Sequence, residues 1–167
     1  CGKKDSPITI AAYGEGPAPR IDADGQGLWY QDYGCALDAP THVYRGYVSS
    51  AVLLYDAAYV TVRDLELTNR ADAVIGEQYS QPDKLELTVM YALRPLVEHN
   101  TADSVACEMN DRVYREPGNR MGKVAAAIWP WKCKDALLRC NEAVDTRLNQ
   151  DGMAYDADSG DGTVYEH

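Results

Sequence analysis

No run of 18 apolar residues occurs anywhere in the sequence, so no helix of it can span a bilayer. Basic residues are scarce: 16 Lys and Arg stand against 26 Asp and Glu, for a net charge of −10. That balance argues against nucleic acid, whose phosphates need a basic face, and against an acidic membrane surface. Phe is absent beside 12 Tyr, and that absence supports no structural argument. Five cysteines (Cys1, Cys35, Cys107, Cys133, Cys140) form no CxxC, and the Cys133–Cys140 spacing suits no zinc knuckle, so dispersed core thiols are expected, with a disulfide left open. P-loop, Rossmann and GxSxG signatures are missing too, since "GEGPAPR" has the wrong spacing. A chain opening Cys1-Gly2 reads as a lipoprotein start or, more simply, as a fragment or mature segment.

What is present is short, β-rich and recurrent. "PITIAAYG" (7–14), "AVLLYD" (51–56), "YVTVRDLELTN" (59–69), "RPLVEHN" (94–100), "VAAAIWPW" (124–131), "DALLRCN" (135–141) and "GTVYEH" (162–167) read as strands broken by Asp, Asn and Gly. The aromatic stretch 28–50 reads as a long loop insertion, and 106–122 as a second. The length of 167 residues suits one domain with a real core, spanning 1–167.

Three segments overlay: Leu96-Val97-Glu98-His99-Asn100, Leu137-Leu138-Arg139-Cys140-Asn141, and Thr163 to His167; Leu65 to Asn69 is a looser fourth. Asn100 and Asn141 lie 41 residues apart, and removing an insertion of about 15 leaves a period close to the 27 from Asn141 to the position after His167. A period in the twenties, with one strand run and a turn Asn per unit, predicts an all-β fold, a right-handed parallel β-helix (β-solenoid) of few coils. Each Asn is expected to take the left-handed conformation at a bend and hydrogen-bond the neighbouring coil. A β-sandwich would show hairpin turns every 8–12 residues, and none is convincing.

The strings "SPITIAAYGEGPAPRIDADG" (6–25), "AVLLYDAAYVTVRDLELTN" (51–69) and "AAAIWPWKCKDALLRCNEAVDTRLNQDGMAYDADSGDGTVYEH" (125–167) resemble coils of secreted bacterial parallel β-helix proteins, the pectate-lyase-like carbohydrate enzymes. The resemblance implies a carbohydrate substrate and a secreted, periplasmic or cell-surface location. Such proteins carry more coils than fit here, so the chain reads as a fragment or a shortened variant, with an open solenoid end that invites self-association.

The densest chemistry lies in "NQDGMAYDADSGDG" (149–162). If "GMAYDAD" is strand, Asp156 and Asp158 project from one face, ~6.7 Å apart along the chain. Two carboxylates so placed suit glycoside hydrolysis, one protonated as acid and the other ionised as base or nucleophile. Asp151 is a third candidate. β-Helical glycosidases of the lacto-N-biosidase type are similar in drawing two aspartates from nearby positions on one coil, a likeness that carries no roles to particular residues. The same region offers Asp156, Asp158 and Asp161 as hard oxygen ligands for Ca²⁺, outside the EF-hand pattern, with Lys132 or Lys134 as the base of a polysaccharide lyase; the hydrolase needs no cofactor. A polar turn is the third reading. Trp129 and Trp131 alternate around Pro130, so they share a face as a sugar-stacking platform or as core aromatics. Lys132, Glu98 and His99 are candidate substrate contacts. A glycoside hydrolase is therefore the leading expectation, with a Ca²⁺-dependent lyase and a non-catalytic glycan-binding or structural solenoid beside it.

Overall fold

The computed structural model describes residues 1–23, 28–32, 45–69, 83–105, 124–146 and 151–167, with backbone alone at 28–32, 45–49, 83–86, 124–125 and 151. The expected loop at 106–122 lies outside the described residues. All regular structure among those described is β.

Short β-branched and aliphatic runs make the strands, and three bends per coil separate them. The first coil holds β1 (Ile8–Ala11) and β2 (Arg20–Asp22), followed by β3 (Leu28–Asp32). The second holds β4 (Arg45–Tyr55), β5 (Val60–Arg63) and β6 (Glu66–Thr68); the third β7 (Asp83–Met90), β8 (Leu96–Glu98) and β9 (Thr101–Asp103). The fourth holds β10 (Val124–Trp131), β11 (Leu137–Arg139) and β12 (Glu142–Val144), and the fifth β13 (Asp151–Tyr155) and β14 (Val164–Glu166). Stacking yields three sheets: β3-β4-β7-β10-β13, β1-β5-β8-β11-β14 and β2-β6-β9-β12. Every pair is parallel except β3–β4, which runs antiparallel. The molecule is a parallel β-helix of few coils, as the recurrence in the sequence implied. The described parts of the stretch 28–50 are not the loop expected of them: β3 and the start of β4 pair there, Leu28 opposite Ser49 and Asp32 opposite Arg45, and 33–44 lie outside the described residues.

The bends are built from residues in the left-handed region, stacked coil on coil. Asp56, Tyr91, Lys132 and Ser159 occupy the bend after the first sheet, with φ of 47°, 53°, 48° and 55°. Tyr59, Arg94, Asp135 and Gly162 form the next column, and Asp64, His99 and Cys140 a third. Each non-Gly member costs roughly 1–2 kcal/mol locally, held by the main-chain bonds that each coil makes to the next, such as Arg94 N–H to Lys134 O and Cys140 N–H to Glu166 O.

Asparagine does stitch the coils, but from a different conformation. Asn100 Nδ2 donates to Val62 O and its Oδ1 accepts from Leu65 N–H, while Asn141 repeats the pattern on Val97 O and Asn100 N–H. The left-handed residue is the one before each Asn, His99 and Cys140. Register also corrects the fourth copy: Thr61, Val62 and Arg63 stack under Leu96, Val97 and Glu98, so Leu65, and not Asn69, lies below Asn100.

The core is a column of aliphatic side chains, with Val62, Leu67, Leu87, Val89, Val97, Ile128 and Leu138 all at 1% exposure or less. Within the first sheet the pleat breaks once per coil. Ala51 and Val52 both pack against the core, as do Ala127 and Ile128. Beyond that break the outer face carries its own apolar cluster, Met90 and Trp131 packed with Leu53, Tyr91 and Trp129. Of the cysteines described, Cys133 is buried, whereas Cys1 and Cys140 are exposed against the expectation of core thiols; all three are free.

Candidate functional site

The site grows from the end of β10. Past the pleat break, Trp129 and Trp131 share the outer face, their ring centroids 6.3 Å apart. One coil below, Tyr91 meets Trp131 edge-on at 5.1 Å, and Tyr55 continues the column at 5.5 Å from Tyr91. Edge-to-face contacts of this kind suit the ring quadrupoles. Trp131 is only 1% exposed, so its ring is wall and not an open platform, while Trp129 is half-buried. The Trp129 indole Nε1 is buried with no hydrogen-bond partner. Lys132, turning out at the bend, sets its Nζ 4.6 Å from the Trp131 ring and 5.9 Å from that of Tyr91.

The aspartates arrive from the next coil. β13 ends at Tyr155, so Asp156 and Asp158 follow the strand and do not lie within it. The backbone still tracks β10: Asp156 N–H donates to Ile128 O and Asp158 N–H to Pro130 O, each at 3.3 Å, and Lys132 N–H returns to Asp158 O at 3.0 Å. Asp158 thereby pairs with Trp131 in parallel register, and paired residues of parallel strands point to the same side. Ser159 Oγ, 2.8 Å from Asp158 Oδ1, donates to it and orients the exposed carboxylate. Asp156 O accepts the Tyr165 hydroxyl at 2.8 Å. Asp151 pairs through its backbone with Val124, and its side chain lies outside the described residues.

Asp161 is carried away from this wall. Between it and Asp158 the chain turns at Ser159, and Asp161 pairs with Lys134. Among the described residues no three His, Cys, Asp or Glu side chains gather as a metal site. Glu98 and His99 are also elsewhere. Glu98 belongs to the second sheet, where Arg139 grips it through Nε and Nη2, both at 2.8 Å. His99 is exposed at a bend and gives its N–H to Arg139 O. The fold therefore joins Trp129, Trp131, Lys132 and Asp158, and leaves Glu98, His99 and Asp161 apart.

Tyr91, Tyr55 and Ser159 also belong to this wall, and no sequence motif marks them. Their signal is register: Tyr91 falls beside Lys132 only once β7 and β10 are aligned from Met90 opposite Trp131.

No protein-family profile matches the chain. Over 85 residues it is 47% identical to the lacto-N-biosidase of Bifidobacterium longum subsp. longum, a match covering 48% of this chain and 5% of that protein. The chain is similar to lacto-N-biosidases. Two solved structures of the GH136 lacto-N-biosidase from Eubacterium ramulus, a selenomethionine derivative and the native protein, are 38% and 37% identical to it, each with a TM-score of 0.46. These cover 98% of this chain and 46% of theirs, so the chain spans under half the length of the solved lacto-N-biosidases and about a twentieth of the curated one.

Proposed function

We propose that this β-helix forms part of a glycoside hydrolase acting on oligosaccharides of the kind that lacto-N-biosidases cleave, with Asp158 as one of two working carboxylates. The observation that carries the reading is the pairing of Trp131 with Asp158, which puts a carboxylate at the edge of an aromatic wall. A sugar ring presents an apolar C–H face, which the half-exposed Trp129 accommodates, and polar edges within reach of Asp158 and Lys132. Asp158, already accepting a hydrogen bond from Ser159, acts as nucleophile or base. Asp156 or Asp151 supplies the proton to the glycosidic oxygen as the leaving sugar departs, and water completes the hydrolysis. The sequence identity to a lacto-N-biosidase supports the reaction class.

The test is reducing-end release from an oligosaccharide ending in lacto-N-biose, without formation of an ultraviolet-absorbing unsaturated sugar. Asp158→Asn is expected to lower kcat by about 10²–10⁴-fold while the wild type keeps its activity in a chelator. Full turnover by Asp158→Asn refutes the assignment. Activity abolished by the chelator refutes the cofactor-free hydrolase.

A further inference from the structure

Three buried side-chain polar atoms among the described residues lack a hydrogen-bond partner: Trp129 Nε1, Thr146 Oγ1 and Thr68 Oγ1. Trp129 and Thr146 still show some surface, whereas Thr68 is 0% exposed. Thr68 closes β6 in the third sheet. Its neighbour Leu67 packs into the core, as does Ala102 on the coil above, so alternation turns Thr68 and Asp103 to the outer side. On the coil below, Thr68 pairs with Asp22. On the coil above, Leu67 pairs with Ala102, and one further step in that register brings Thr68 beside Asp103. An unsatisfied hydroxyl therefore lies midway between two carboxylates, on a face where adjacent coils stand about 4.8 Å apart. Arg20, the cation on that face of β2, is taken by Glu66 at 2.7 Å. Asp103 Oδ1 accepts the Ser104 hydroxyl at 2.8 Å, which leaves Oδ2 to another ligand.

We propose that Asp22, Thr68 and Asp103 hold a divalent cation of the calcium type, clamped between the first three coils on the outer side of the third sheet. Water would satisfy the hydroxyl but leave two like charges facing each other across it. A cation answers both the orphan oxygen and the charges. All three donors are hard oxygens, which suits Ca²⁺ over a transition metal. Asp22 and Asp103 stand two coil spacings apart, about 9.6 Å at the backbone. The longer and more variable bonds of Ca²⁺, about 2.3–2.6 Å, fit that span better than the tight octahedron of Mg²⁺. Water completes the shell. The ion takes no part in the hydrolysis, so turnover below the melting range survives a chelator. The inference is independent of the hydrolase reading.

The experiment strips the 167-residue chain with a chelator, dialyses it, and titrates it calorimetrically with CaCl₂ and, separately, with MgCl₂. A single Ca²⁺ per chain is expected, bound more tightly than Mg²⁺. About a hundredfold excess of Ca²⁺ over its Kd should raise the thermal midpoint by about 5–10 °C. Asp103→Asn should weaken binding by about tenfold or more. Thr68→Val keeps the shape and deletes the hydroxyl. Stripped of metal, it should melt above the wild type, since the buried orphan is gone, yet it should gain less from Ca²⁺. Asp158→Asn should bind Ca²⁺ as the wild type does, which separates this site from the aspartates of the last coil. No Ca²⁺ binding, binding unmoved by both Asp103→Asn and Thr68→Val, or binding lost in Asp158→Asn would each overturn the proposal.

Discussion

Asn100 shows how much one side chain can hold. It is 1% exposed and satisfies Val62 O and the Leu65 N–H at once, at 3.1 and 3.2 Å. Asn100→Ala strands both main-chain groups in the interior, and each such orphan costs about 1–3 kcal/mol. Denaturant unfolding should therefore show a loss of about 2–5 kcal/mol for Asn100→Ala, and a smaller one for Asn141→Ala, whose surroundings are only part-buried. Equal, small losses would mean that the column does not carry the stacking. Asp158 is the converse. Among the described residues its exposed carboxylate meets only the neighbouring Ser159 hydroxyl, so Asp158→Asn should leave the thermal midpoint within about 2 °C of wild type. At this scale the sequence was partly legible. The stitching role of asparagine followed from its polar side chain at a strand end. Its conformation did not, because the strain sits on the residue before it, and nothing in a His or a Cys announces a φ near 50°.

Strands and bends were legible to different degrees. Short β-rich runs broken by Asp, Asn and Gly located β1, β5, β8, β10, β11 and β14, and Val60 and Val62 of β5 showed the period of two that a half-buried strand imposes. The same period misled at the faces. Where Ala51 and Val52 both turn inward, alternation skips a step, and no residue type marks such a break. Whether the two tryptophans were platform or core was also undecidable from spacing, since both readings need them on one face. Burial now separates them: Trp131→Ala should cost about 3–5 kcal/mol of stability, as for a large core aromatic, and an unchanged melting curve would show that the ring is not packed as described. At the second bend, Gly162 has φ of 69°, and a Cβ there would meet Asp135 Oδ1 at 2.9 Å. Gly162→Ala should lower stability by about 1–2 kcal/mol. A neutral result would show that the bend relaxes.

For the whole molecule, the solenoid was readable from recurrence, because each coil must repeat what its neighbour needs, whereas its three sheets were not, since the recurrence marked one strand run per coil. The candidate site was not, since it depends on a register that only aligned coils reveal: β7 on β10 gives Tyr91 to Trp131, and the last coil gives Asp158 to Trp131. Global stability should also carry a mark of the last coil. The Tyr165 phenol is held above its ordinary pKa by burial first and by the Asp156 charge second; Tyr155 is raised by burial and Glu142, and the buried Cys133 thiol is raised by desolvation. Raised folded-state values keep their contribution below the unfolded pKa, about 10 for Tyr, and lose it as pH climbs through the folded value. Urea midpoints should thus fall as pH rises above about 10, less steeply in Tyr165→Phe. Identical slopes would show that Tyr165 does not contribute to that loss.

The most direct measurement is a crystal structure of the protein with lacto-N-biose bound. The sugar should lie against the exposed face of Trp129, with an Asp158 carboxylate oxygen about 2.6–3.2 Å from it and Trp131 still packed behind. A sugar seated on another wall, or a backbone in which Asp158 is not paired with Trp131, would contradict the assignment.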